Sequence, residues 1–168
     1  MRSGRPPGIS LDPAQDGSPA VQAAGVDVDG SGRIKIPMQI GQRIGWLNVD
    51  AKQDVLVVMP RPGVVELCSW LPHGAAVVAK RTELEARLKA EPDVRAALIQ
   101  LTLRYRRMVV GKEFRCSLPI DVRLHLGMRQ PGSGRLHVLQ VSDRIELLSR
   151  EAMDEVMGEE HDDLAGMP

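Results

Sequence analysis

Two short stretches of the chain alternate strictly between apolar and polar residues, and each runs straight into a proline. Ile34 and Ile36 alternate with Arg33 and Lys35, while Cys116 and Leu118 alternate with Arg115 and Ser117. A period of two predicts a strand with one buried face. Pro37 and Pro119 then stand at the first helical position, where a missing N–H costs nothing. Apolar residues spaced by four follow, Ile40 and Ile44 in one case, Val122 and Leu126 in the other. Gly45 or Gly127 supplies a left-handed end, so each predicted helix is only two turns long. Apolar runs then predict strands at Val55–Met59 and Val64–Cys68, and again at Leu136–Val141 and Arg144–Leu148. Turns are expected at 60–63 and at Ser142-Asp143.

These stretches are one pattern used twice. An offset of 82 places Arg33 over Arg115, Pro37 over Pro119 and Gly45 over Gly127; an offset of 80 places Val65-Glu66-Leu67 over Ile145-Glu146-Leu147. The chain therefore carries a diverged duplication of about 45 residues, with two residues lost from one loop of the second copy. Between the copies, Glu83–Arg87 and Glu85–Lys89 are favourable i,i+4 pairs, and Val94, Ala97, Leu98 and Leu101 form a helical stripe. Leu103–Val110 reads as the strand that opens the second copy. The expected divisions are a disordered arm over 1–22, rich in proline and glycine, and a first copy over 23–71. A helical connector over 72–103 and a second copy over 104–150 follow. Residues 151–168 read as a short helix, running over 150–157, and an acidic tail.

One copy alone has too few short strands to close a core, whereas two interleaved copies can. The fold class expected is mainly β with a helical connector (α+β). Ile34, Ile36, Val57, Val65, Leu67, Leu118, Leu139, Ile145 and Leu147 should share one core.

A strand, a loop ending in Asp-x-x-Gly-Arg, a second strand, proline, a short helix and a closing hairpin resemble the AbrB-like swapped-hairpin fold. Two such copies joined by a helical hairpin resemble the MraZ family of bacterial transcriptional regulators. The first copy carries the motif intact, from Asp29-Gly30-Ser31-Gly32-Arg33 to Pro37. The second, from Gly111 to Pro119, keeps the arginine and proline but lacks the motif's Asp and Gly. The resemblance covers about residues 23–157. It implies two AbrB-like half-domains forming one pseudo-symmetric swapped-hairpin β-barrel, with Arg33 contacting double-stranded DNA. It also implies a homo-oligomeric ring that adds weak contacts across tandem short repeats. Such a protein would be cytoplasmic and associated with the nucleoid.

Charge changes this picture once it is placed along the chain. The 22 basic and 22 acidic residues cancel, yet seven acids and no Lys or Arg lie from Glu151 onward, which leaves residues 1–150 at +7. A basic body favours a polyanionic partner. Arg33 and Lys35 stand opposite the buried Ile34 and Ile36 beside a glycine-rich turn, where a planar guanidinium can reach phosphate or guanine. The plainer reading is an exposed arginine paired with an acid such as Asp29. Arg104, Arg106, Arg107, Lys112 and Arg115 face only Glu113 across their segment, the densest basic run in the chain. They suit phosphate contact more than base reading, and would otherwise be a solvated strand edge. The tail invites two readings, a mobile acidic competitor for this basic run or a solubilising terminus.

Other classes find little support. Four aromatic residues are too few for a single-strand nucleic-acid groove. The longest apolar runs, about five residues, are far short of a membrane helix, and no apolar segment follows the basic N-terminus as a secretory signal would require. Asp27-Val28-Asp29-Gly30-Ser31-Gly32 fits the start of a calcium loop, but its twelfth position is Met38 and not a bidentate Glu. Cys68, Cys116 and the four histidines lack paired ligand spacing, so no metal or cofactor is expected. No catalytic frame or small-molecule site is visible, and an enzyme is not expected. The sequence thus points to a sequence-specific double-stranded DNA-binding regulator. Its competitor is an oligomeric assembly module, ring-forming or antitoxin-like, that has lost DNA binding.

Overall fold

The computed structural model describes residues 21–129 and 133–163. Eight strands form one antiparallel sheet: β1 (Val21–Val28), β2 (Arg33–Lys35), β3 (Gln53–Arg61), β4 (Val64–Ser69), β5 (Tyr105–Val110), β6 (Arg115–Ser117), β7 (Gly134–Val141) and β8 (Arg144–Leu148). Their order around the sheet is β1-β7-β8-β4-β3-β5-β6-β2, and β1 and β2 lie side by side, so the sheet curls into a nearly closed barrel. Five α-helices lie among the described residues, α1 (Met38–Gly41), α2 (Ala75–Arg87), α3 (Val94–Arg104), α4 (Ile120–His125) and α5 (Arg150–Asp163), with shorter helical turns at Trp70–Gly74 and Lys112–Phe114.

The pairing crosses the chain. β1 pairs with β7 and β3 with β5, while β2 pairs with β6 and β4 with β8. Ile34 lies opposite Cys116 in one of these ladders and Glu66 opposite Glu146 in the other.

Inward positions of all eight strands fill one aliphatic core that includes Ile34, Ile36, Val57, Val65, Leu67, Leu118, Ile145 and Leu147. Leu139 is buried elsewhere, with Val64, Leu148 and Ala152. Strand alternation explains it: Leu136 and Val138 face inward, so Leu139 faces outward and α5 covers it. Cys116 is an inward residue, and burial pushes its thiol up to about 12.

Several boundaries differ from those read in the sequence. Strand β1 begins at Val21, inside the expected arm, and the first twenty residues lie outside the described ones. The helical stripe after Pro92 continues through Arg104, so β5 opens at Tyr105 and not at Leu103. Both prolines stand one position before their helix with extended ψ, where they end the strand and set the turn. Gly127 takes the expected positive φ, but Gly45 does not. Helix α1 is a single turn that loosens after Gly41, so no left-handed cap is needed there. Glu83 pairs with Arg87 at 3.0 Å as expected, whereas Glu85 takes Arg81.

Helix α5 runs to Asp163, six residues past the expected end. Ala152, Met153 and Val156 seat it on β7 and β8, with Glu151, Asp154 and Glu155 on the outer face. The acids as far as Asp163 therefore lie along a helical backbone rather than on a free tail. In the barrel order β7 and β8 are separated from the β2–β6 ladder by β1 on one side and by β4, β3 and β5 on the other, so this helix does not cover that ladder. Among the described residues no helix is long and apolar enough to cross a membrane.

Candidate nucleic-acid interface

Strands β2 and β6 are three residues long and carry the same exposed-buried-exposed pattern. Arg33 lies opposite Ser117 and Lys35 opposite Arg115, so all four side chains leave the same outer face while Ile34 and Cys116 enter the core. The alternation that built the core therefore also gathers the cations. With Arg107 and Val109 of β5, this ribbon lines an open groove of about 760 Å³. Four cations (Arg33, Lys35, Arg107, Arg115) share that lining with two acids, Asp27 and Asp29.

Arg33 is held by the turn before it. The Asp29 carboxylate accepts the Ser31 N–H at 2.9 Å, the Ser31 hydroxyl at 2.7 Å and the Arg33 N–H at 3.0 Å; its other oxygen takes Arg33 Nε at 2.9 Å. The Arg33 backbone N–H, followed by the Ser31 hydroxyl, holds this carboxyl well below the usual carboxylate range. Gly32 closes the turn at φ +82°, a conformation that glycine adopts without strain. Arg33 remains 72% exposed with its remaining guanidinium donors facing outward.

The loop before Arg115 reaches the same shape by other means. Its Gly111 N–H donates to the Arg115 carbonyl at 2.7 Å, as the Asp29 N–H does to the Arg33 carbonyl at 3.2 Å. Phe114 takes the left-handed conformation that Gly32 takes in the first loop, and its ring is buried. Glu113 pairs with Arg115 at 3.2 Å, but no Asp29-like carboxylate gathers the backbone N–H groups of this loop.

Arg107 is held against Asp54 at 2.7 Å and stacks over the Trp70 ring at 4.4 Å. Its hydrogen bond lowers the Asp54 carboxyl and raises the guanidinium. Lys35 has no ion-pair partner among the described residues.

The basic run read from the sequence does not act as one patch. Arg106 has the inward parity of Met108 and Val110 and is tied at the barrel end to Asp121 and the Thr102 carbonyl. It lines a second, smaller recess with Val77, Leu101 and Tyr105, where Arg107 also contributes. Arg104 ends α3 and lies 5.8 Å from the Tyr105 ring centre. Lys112 is exposed in the 112–114 turn, outside the groove lining. The groove instead takes in Arg107, whose outward position follows from alternation with Met108 and Val110. Asp54 and Trp70 lie far from it in sequence, and only the folded sheet brings them to Arg107.

No family model and no curated protein matches this chain.

Among the described residues no group of three or more His, Cys, Asp and Glu is placed to hold a metal ion. His125 has a structural partner: its Nε2 lies 2.6 Å from the Arg61 carbonyl and 3.0 Å from that of Val64, so α4 is pinned to the β3–β4 hairpin. The groove offers guanidinium and ammonium groups on a short two-stranded ribbon. Groups of this kind can contact an anion.

Proposed function

We propose that the chain is a sequence-specific double-stranded DNA-binding regulator of MraZ type, with the β2–β6 ribbon as its reading element. The observation that carries this reading is the register of that ribbon, which aims Arg33, Lys35 and Arg115 from one exposed face. The major groove of B-DNA admits a two-stranded β-ribbon, and arginine is suited to the guanine edge. Lys35 and Arg107 supply phosphate contacts that fix the ribbon's register.

The cross-chain pairing supports two AbrB-like half-domains in a swapped-hairpin arrangement. With the offset of 82, Ile34 and Cys116 are equivalent positions that face each other, and Arg33–Ser117 becomes Arg115–Lys35. With the offset of 80, Glu66 and Glu146 do the same. A pseudo-two-fold axis through both ladders accounts for these pairings, and the two arginines then present related surfaces to DNA.

A protein assembly module is the second reading, favoured by Val78, Ile99 and Leu103 standing exposed on the α2–α3 hairpin. Apolar residues on one projecting element suit a second copy of the chain, and a homo-oligomer would multiply weak DNA contacts. One experiment separates the readings: titration of the full chain with a random duplex library at several salt concentrations, followed by selection. Salt-dependent binding with an enriched sequence supports the regulator in the nucleoid. Absence of duplex binding at micromolar protein leaves the assembly module.

A further inference from the structure

The most unusual group near the groove is not on its surface. Arg123, in α4, is 7% exposed, yet among the described residues it has no carboxylate partner. Its Nε makes no hydrogen bond, and its Nη1 reaches only the Gly30 carbonyl at 3.5 Å. A buried cation without a counter-ion is destabilising, so its place needs a reason.

That place is directly beneath the turn that holds Arg33. A β-carbon on Gly32 would lie 2.7 Å from Arg123 Nε, so the guanidinium is packed against the backbone of Gly30-Ser31-Gly32. Asp29 does not neutralise it, since both carboxylate oxygens are committed to Ser31 and Arg33. Gly30 and Ser31 are exposed and small, and nothing larger than serine stands on the turn between the buried charge and solvent. The equivalent place under the second loop holds Gly41 and the Phe114 ring, without a charge.

We propose that the Gly30–Gly32 turn seats one phosphate of the DNA backbone and that Arg123 is the buried counter-charge for it. This rests on the DNA-binding reading and adds a site to it. The phosphate supplies the anion that the folded protein withholds, and the small turn allows it to approach. Arg123 acts through the turn as a positioning residue. Because only the first loop has this charge, the two loops engage the backbone unequally, and the protein acquires a fixed direction along the duplex.

The test uses the full chain and a duplex obtained by selection. Arg123→Met removes the charge and keeps most of the side-chain volume. Binding should weaken about tenfold at low salt, with a shallower salt dependence, while the melting temperature rises. Arg123→Lys keeps the charge and should retain most of the affinity. On wild-type protein, one neutral methylphosphonate moved along the duplex should reveal a position whose loss weakens binding, and Arg123→Gln should abolish that sensitivity. If Arg123→Met and Arg123→Gln both bind with wild-type affinity and salt dependence, the seat is wrong while the DNA reading stands. If the wild-type chain binds no duplex, the DNA reading falls and the seat with it.

Discussion

Gly41 lies against the ring of Phe114 so closely that a β-carbon on residue 41 would overlap it. The equivalent pair at the offset of 82 is Arg123 and Gly32, with the large and small partners exchanged between helix and loop. One side fills the space under its loop with a phenyl ring from the loop, the other with a guanidinium from the helix. Gly41→Ala should therefore destabilise the fold by about 1–3 kcal/mol through overpacking. Chemical denaturation measures this, and Phe114→Leu in the same chain should recover part of the loss. Simple additivity of the two substitutions would show that the contact is not the cause.

Asp29 links stability to pH. Its carboxyl is depressed in the folded chain, so its contribution is complete above the carboxylate range of the unfolded chain. It is lost as pH falls from there toward the lower folded value. The stability difference between wild type and Asp29→Asn should be constant from neutral pH down to about pH 5 and should shrink below about pH 4. A difference that widened in acid would contradict the hydrogen-bond pattern around this residue.

The groove cations should separate by role. Lys35→Ala and Arg115→Ala should each reduce the slope of log affinity against log salt by about 0.9 for a lost phosphate contact. Arg33→Ala should weaken the selected site by roughly 1–3 kcal/mol and random duplex much less. Arg106→Ala should leave the slope unchanged, because its guanidinium is engaged at the barrel end with Asp121. Asp54→Asn should tighten non-specific binding at low salt by freeing Arg107 from its carboxylate. Duplex titrations from low to moderate salt measure all five variants.

Assembly should depend on the α2–α3 hairpin. Val78→Lys with Leu103→Glu places charge on two exposed apolar positions and should shift the chain toward monomer in sedimentation velocity. The barrel's melting temperature should stay close to that of wild type, since neither side chain enters the core. A wild-type chain that sediments as a monomer at high concentration would remove the oligomer from the proposal.

Period-two alternation placed β2 and β6 in the sequence because both strands are half-buried, and burial of one face is what the pattern records. The same alternation was enough to put Arg33, Lys35 and Arg115 outside. It did not separate Arg106 from its neighbours, because charge counts along a segment ignore the parity that sends adjacent residues to opposite faces. The Arg107–Asp54–Trp70 contact was invisible for another reason: it joins β5, β3 and the end of β4, which only register brings together. Nothing in the sequence around Arg123 marks it as buried. Its burial follows from Gly32 of the first copy's loop lying directly against it, a tertiary fact with no local signal.

The position of α5 gives the neutral net charge a different meaning. A molecule with equal numbers of opposite charges feels little overall pull from a polyanion. Here Glu151, Asp154 and Glu155 stand on the outer face of a helix seated on β7 and β8, away from the β2–β6 ribbon, so these acids are separated from its cations rather than mixed with them. On the proposed reading, such a separation would let the field around a duplex exert a torque on the protein. That torque would turn the ribbon toward the DNA and the helix away before contact is made. Orientation of this kind raises the fraction of encounters that are productive, so it enters the association rate and fades as salt shortens the field.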